Sequence, residues 1–239
     1  MEVGDLLEQI RNCAILDGPI EYGGTWLQQE GEMRFAPDRP WLPFRAEQWL
    51  PSSGIEFRWE AWIRMAPLLR ARVVDSFEGG RGMLTAKVLG FVPVARSLGP
   101  ATDKAEAMRG LAELPWRPFA FREAPCITWE TVGTNKLRAA FDDGETQAAV
   151  EFEVDSEGHV LGGAASARPR MVGKSLVETP WSGTFGEYKT FDRVRVPTVA
   201  EVTWHLREGP FTYWRGRVTD FRVLRSRWMP DGAFMPASY

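Results

Sequence analysis

Alternating apolar and polar residues predict strands over most of the chain, with one short helix ahead of them and one long helix in the middle. In "IEFRWEAWIRM", Phe57, Trp59, Ala61 and Ile63 share one face, with Arg58, Glu60 and Arg64 on the other. "LRARVVDSFEGG" puts Ala71, Val73, Asp75 and Phe77 together, opposite Arg70, Arg72 and Ser76. After Gly79-Gly80-Arg81-Gly82 the run "MLTAKVLGFVPVA" resumes, so Phe77 and Met83 flank a predicted hairpin turn. Further on, Ala148, Val150, Phe152 and Val154 alternate with Glu151 and Glu153, between turns marked by Asp143-Gly144 and Glu157-Gly158. A last hairpin is expected to turn at Glu208-Gly209-Pro210.

Two stretches carry helical spacing instead. Val3, Leu6, Leu7 and Ile10 form a short amphipathic stripe that ends near Asp17-Gly18-Pro19. After Gly99-Pro100, Ala105, Met108, Leu111 and Ala112 form a longer stripe; Asp103 and Glu106 fit an N-terminal capping pattern, and Pro115 stops the helix. The pattern predicts one domain over residues 1–239: a helical segment at 1–19, strands over 20–98, a central helix at 102–114, strands over 126–224 and an irregular tail at 225–239. Strand runs broken by a single helix, without regular strand–helix alternation, predict an α+β fold that is mainly antiparallel β.

Composition narrows the function classes. A chain of 239 residues with 44% apolar and 26% charged residues can bury a substantial core. Its net charge of -3, and the lack of any basic run interleaved with aromatics, exclude a nucleic-acid groove as the expectation. The 11 Trp and 14 Phe, against 4 Tyr, suit either an apolar interior or a ligand cavity. Cys13 and Cys126 have no metal-ligand spacing, and the two histidines are far apart in sequence, so neither a metal nor a cofactor is expected. The start is acidic and no segment approaches the roughly 20 apolar residues of a membrane span, which gives a cytoplasmic expectation. There is no G-x-S-x-G elbow, P-loop or dinucleotide fingerprint, and "GGRGM" joins strand to strand rather than strand to helix.

Several blocks of sequence then point to a family. "FRWEAWIRM", "VVDSFEGGRGMLTAKVLGFVPV", "MRGLAELPWRPFAF", "ARPRMVGKSLVETPWSGTFGEYKTFDRVRV" and "PTVAEVTWHLREGPFTYWRGRVTDF" resemble, in the same order, the uncharacterised bacterial proteins grouped as DUF6544 or DUF6920. The resemblance runs from about Thr25 to Phe221. It implies a fold similar to the lipoprotein carriers of the LolA/LppX type, which bind acyl chains: a strongly curved half-barrel sheet wrapped around a central helix, with an apolar cavity between them.

The candidate chemistry centres on acids in apolar surroundings. Glu113 lies beside the apolar stripe at the C-terminal end of the central helix, where the helix dipole disfavours a carboxylate, so it needs a cation. Arg168 and Arg170, placed by alternation on one face with Ala164 and Ser166, are the expected suppliers. Such a group is either a lock between helix and sheet or a polar anchor in a ligand pocket. Asp75, on the apolar face of its strand, is either a cap for the Gly79–Gly82 turn or an acid or base. His205 is expected at the surface, since Glu201 lies about 13 Å away along a strand, and His159 is expected in solvent. Trp59, Trp116, Trp181, Trp204 and Trp214 are core residues or the lining of a small-molecule pocket, with Tyr188 at its mouth. The leading reading is a pocket protein for a hydrophobic or lipid-like molecule. The alternative is a cofactor-independent isomerase, cyclase or hydrolase using Glu113, Asp75 or Tyr188 with arginine stabilisation, and plain scaffolding comes third.

Overall fold

Two runs of antiparallel strands account for most of the molecule. The computed structural model describes residues 2–16, 22–52, 54–173, 175–225, 227–228 and 234–235. A first helix, α1 (Val3–Ala14), buries Leu6 and Ile10, and the amide of its Gln9 donates to the Ser156 carbonyl at 2.6 Å. The expected end of this segment at Asp17-Gly18-Pro19 lies outside the described residues. The first run holds β1 (Gly24–Met33), β2 (Leu42–Pro51), β3 (Phe57–Ala66), β4 (Leu69–Glu78), β5 (Arg81–Val88) and β6 (Val92–Ser97). The second holds β7 (Ile127–Gly133), β8 (Lys136–Asp142), β9 (Gln147–Val154), β10 (Val160–Val172), β11 (Ser175–Phe191), β12 (Val194–Leu206) and β13 (Gly209–Leu224).

Within each run every strand pairs with the next, and β1 pairs with β13 from Gly24↔Leu224 to Met33↔Trp214. The result is a single sheet in the order β6-β5-β4-β3-β2-β1-β13-β12-β11-β10-β9-β8-β7, mainly antiparallel and not closed. The predicted faces hold: Phe57, Trp59, Ala61, Ile63, Ala71, Val73, Asp75 and Phe77 are all buried. The β4–β5 hairpin turns through Gly79 and Gly80 at φ +56° and +75°, a conformation that disfavours any residue with a Cβ.

The chain must then travel from one sheet edge, β6, to the other, β7. It does so along the concave side, through α2 (Pro100–Ala112), a 3-10 turn (Leu114–Trp116) and the short α3 (Ala120–Glu123). Because α2 packs against β4 and β5 from one arm and β8, β9 and β10 from the other, the sheet curls around it. Gly110 permits the close approach, since a Cβ there would lie 2.1 Å from the Ile55 carbonyl oxygen. The helix begins two residues earlier than predicted, with Gly99 as its N-cap and Pro100 in the first turn, and ends at Ala112 with Glu113 as its C-cap. In the expected irregular tail, β14 (Arg227–Trp228) pairs with β15 (Phe234–Met235); the remaining residues beyond Arg225 are outside the described ones.

Candidate functional site

The floor of the site comes from one row across the first arm. Gln48 on β2, Trp59 on β3 and Asp75 on β4 are register partners, each pointing inward from an otherwise apolar face. Above them lies α2. Spacing of three and four residues puts Glu106, Arg109 and Glu113 on one side of that helix end. The Arg109 guanidinium donates to Glu113 at 2.8 Å and to Asp75, and covers the rings of Phe57 and Trp59 at 4.8 and 5.0 Å. The other Glu113 oxygen accepts from the Gln48 amide, and the Trp59 indole donates to Gln29 at 2.8 Å.

The second arm supplies an aromatic wall. Ala165, Trp181, Trp204 and Phe211 form a register row across β10 to β13, all buried. Arg168 joins this wall because β10 carries an extra residue between Ala165 and Arg168. A bulge reverses inward and outward positions downstream. Ala164 and Ser166 therefore face out while Arg168 is buried, which corrects the shared face expected for the three. The Arg168 guanidinium lies over Trp181 and Trp204 at 5.2 and 5.5 Å and donates to the Ala105 carbonyl at 3.2 Å. Arg170 lies over Trp204 at 5.9 Å. At the helix end the Trp116 indole donates to the Pro197 carbonyl at 2.9 Å, and Trp214 stacks on Phe44 at 5.5 Å.

Between floor and wall is a cleft of about 330 Å³. All five predicted tryptophans line it, as do Glu113, Asp75, Arg168 and Arg170. It reaches the surface beside the exposed Met171, Thr184 and Glu201, so it is a cleft rather than a sealed cavity. A second depression, between α1 and the start of β7, is lined by Leu7, Phe121 and Trp129 and holds none of the predicted site residues.

Burial and crowding set the charges. Burial, reinforced by the neighbouring Asp75 carboxylate, pushes the Glu106 carboxyl well above the ordinary glutamate range, although Arg168 and Arg109 oppose this. Burial also raises Glu113, against the pull of Arg109. Burial opposes the charge on Arg109, but Asp75, Glu113 and Glu106 more than offset it and hold the guanidinium protonated. Three buried acceptor atoms lining the cleft have no hydrogen-bond donor among the described residues: Gln48 Oε1, Asp75 Oδ1 and Glu106 Oε2.

Several expectations change. Glu113 is answered by Arg109, one turn earlier on its own helix, not by Arg168 or Arg170. Arg168 faces Glu106 instead, at 4.0 Å. Asp75 does not cap the Gly79–Gly82 turn; Glu56 accepts from the Gly79 amide, Asp103 accepts from the Gly82 amide, and Asp75 binds Arg109. Glu106 does not cap its helix but points into the cleft. Tyr188 lies away from the cleft, where its hydroxyl donates to the Val160 carbonyl at 2.8 Å and its ring meets His159. His159 is not free in solvent: it is half-buried and bonded to Asp155 at 3.0 Å. His205 is exposed and pairs with Ser182.

Sequence reasoning missed Gln48, Glu106 and Arg109. The signal for the last two was a Glu–Arg–Glu series at helical spacing in the otherwise apolar stretch from Glu106 to Glu113; for Gln48 it was one polar residue among the inward positions Phe44, Ala46 and Leu50. Among the described residues, no group of three or more His, Cys, Asp or Glu is placed to hold a metal ion, and no helix is long and apolar enough to cross a membrane.

Comparison with known proteins agrees with this architecture. The model of the DUF6544 family, a family of unknown function, matches residues 12–216. A LolA superfamily protein from Nitrosomonas europaea superposes with a TM-score of 0.53 at 12% identity, covering 98% of each chain. A DUF1329 family protein from Desulfovibrio piger gives 0.51 at 13% identity, covering 92% of this chain and 91% of the other. At such identities the likeness is one of fold. No curated protein sequence matches the chain.

Proposed function

Taking as premise that the chain belongs to the DUF6544 family, a family of unknown function, we propose that it binds a hydrophobic or lipid-like small molecule in the cleft between α2 and the sheet. The observation that carries this is the lining: Trp59, Trp116, Trp181, Trp204 and Trp214 converge on one open space, with a few polar groups gathered at its floor. An apolar concave surface with a small set of placed polar groups is the usual anatomy of a small-molecule site. A core needing only to be filled would close over these rings, since interiors pack to crystal-like density. The LolA-like fold of the structural neighbours supports the same reading.

The test is direct binding. Saturable uptake of 1-decanol, followed by tryptophan emission and calorimetry, is the expected result. Ala200 is buried on the cleft wall, and Ala200→Phe should fill the space and block uptake while the protein stays folded. Unchanged uptake in that variant, or no saturable uptake in the parent, would remove the reading.

A further inference from the structure

We propose that the cleft floor selects ligands with a primary ammonium head, held by the Gln48 amide oxygen and the carboxylates of Asp75 and Glu106. This rests on the binding role proposed above and names the polar end of the molecule that would fill the cleft.

The first observation is the kind of atom left without a partner. Gln48 Oε1, Asp75 Oδ1 and Glu106 Oε2 are all acceptors, on residues at least 94% buried (0%, 6% and 5% exposed), and all line the same cleft. A buried acceptor without a donor is costly, so the group that completes this floor must donate. An ammonium offers three donors on a compact charge, matching three acceptors.

The second observation is the charge count. Asp75, Glu106 and Glu113 face two guanidinium groups, Arg109 and Arg168, across contacts no longer than 4.0 Å. The fully buried Arg117 also acts on Glu113, so these three acids are matched one for one by cations. Burial and the neighbouring Asp75 carboxylate push the Glu106 carboxyl well up, which favours a proton on it in the empty cleft. A ligand ammonium that binds there displaces this proton to solvent and leaves the net charge of the site unchanged. Atoms and charge balance: one ammonium enters, one proton leaves. The charged groups facing Glu106 are Asp75 from β4, Arg109 from α2 and Arg168 from β10. The cleft wall adds Arg96, Glu113, Arg170, Glu201 and Tyr213.

An anionic head is the opposing possibility, through Arg168 and Arg170. Arg109 and Arg168 are already committed to carboxylates, carbonyl oxygen and indole rings, and Arg170 to Thr179 and Trp204. A carboxylate head would also bring no donor to the three unpartnered acceptors.

The experiment compares decylammonium, 1-decanol and decanoate by calorimetry at pH 6 and pH 7.5, in buffers of different ionisation enthalpy. Decylammonium should bind about tenfold or more tightly than decanol, with decanoate weakest; a tenfold ratio is about 1.4 kcal/mol. It should release close to one proton at the lower pH, and its affinity should rise with pH while decanol's does not. Glu106→Gln should keep decanol binding and lose both the ammonium preference and the proton release. Decanoate binding as tightly as decylammonium, or ammonium binding without proton release, overturns the proposal and leaves the binding role standing. These comparisons use the parent protein and do not depend on a variant folding. Failure of all three ligands to bind removes the binding role itself, and this inference with it.

Discussion

Replacing Arg109 by Met tests the electrostatic floor most sharply. Met keeps much of the stem's volume and its contact with Phe57 and Trp59, but deletes the donors to Asp75 and Glu113. Removing one partner of a buried ion pair costs about 3–5 kcal/mol, because the remaining charge stays buried without compensation. Three carboxylates lose this cation, so the upper part of that range applies. For a chain of this size about 2–4 °C of Tm accompanies each kcal/mol, so a cost of about 4–5 kcal/mol gives a loss of roughly 8–20 °C near pH 7.5. The pH dependence carries the diagnosis. Without the guanidinium the folded-state carboxyls of Glu106 and Glu113, already raised, rise further above their unfolded values of about 4. A carboxyl raised in this way contributes full stability below its unfolded pKa and loses it as pH rises towards the folded one. The Tm deficit of Arg109→Met should therefore be largest at pH 7.5 and shrink steadily towards pH 4.5, measured by calorimetric or circular-dichroism melts. Arg109→Lys, which keeps the charge without the planar fork, should fall between. A deficit under about 2 °C, or one that is the same at every pH, would show that the carboxylates are solvated and that the buried floor described above is wrong.

Two further substitutions probe other parts of the fold. Gly110→Ala should destabilise by about 1–3 kcal/mol despite the better helix propensity of Ala, because its Cβ would sit 2.1 Å from a backbone oxygen of Ile55; a raised Tm would contradict the close packing of α2. Tyr188→Phe should cost about 1–2 kcal/mol through the lost bond to the Val160 carbonyl and leave decanol affinity unchanged; a drop in affinity would place Tyr188 at the cleft after all.

Much of the architecture was legible because simple periods express it. The inward set of β3 and β4 follows from period two, and α2 from its stripe of Ala105, Met108, Leu111 and Ala112. The five tryptophans, read from size and position as core residues or pocket lining, all border the cleft. What alternation cannot reveal is where it breaks. The extra residue before Arg168 moves that side chain to the concave face while its neighbours Ala164 and Ser166 stay outside, and nothing in "AASARPR" announces it. Partner choice was equally hidden. Glu113 needed a cation, but two strand arginines and a helical neighbour were all available on chemical grounds. The helix decided it, since i and i+4 residues meet whatever the sheet does. Glu106 was assigned to a cap because its spacing from Asp103 fits one. The cap position went to Gly99, one turn earlier, which left Glu106 to face inward.

The pairing of β1 with β13 has a consequence for how the molecule is made. Within each arm, neighbouring strands are also neighbours in sequence, so each arm can form from short loops at little entropic cost. The seam joining the arms links Gly24 to Leu224, two residues far apart in sequence. During synthesis β1 is complete well before its partner β13, which follows every other strand of this sheet in the chain. For that interval β1 presents an unpaired edge bearing Trp26 and Leu27, an open template for other chains. The cleft, which needs both arms, exists only after that edge is covered. A newborn chain is therefore exposed at the seam and without the cleft until β13 emerges, and it gains both protection and the cleft in the same closing step.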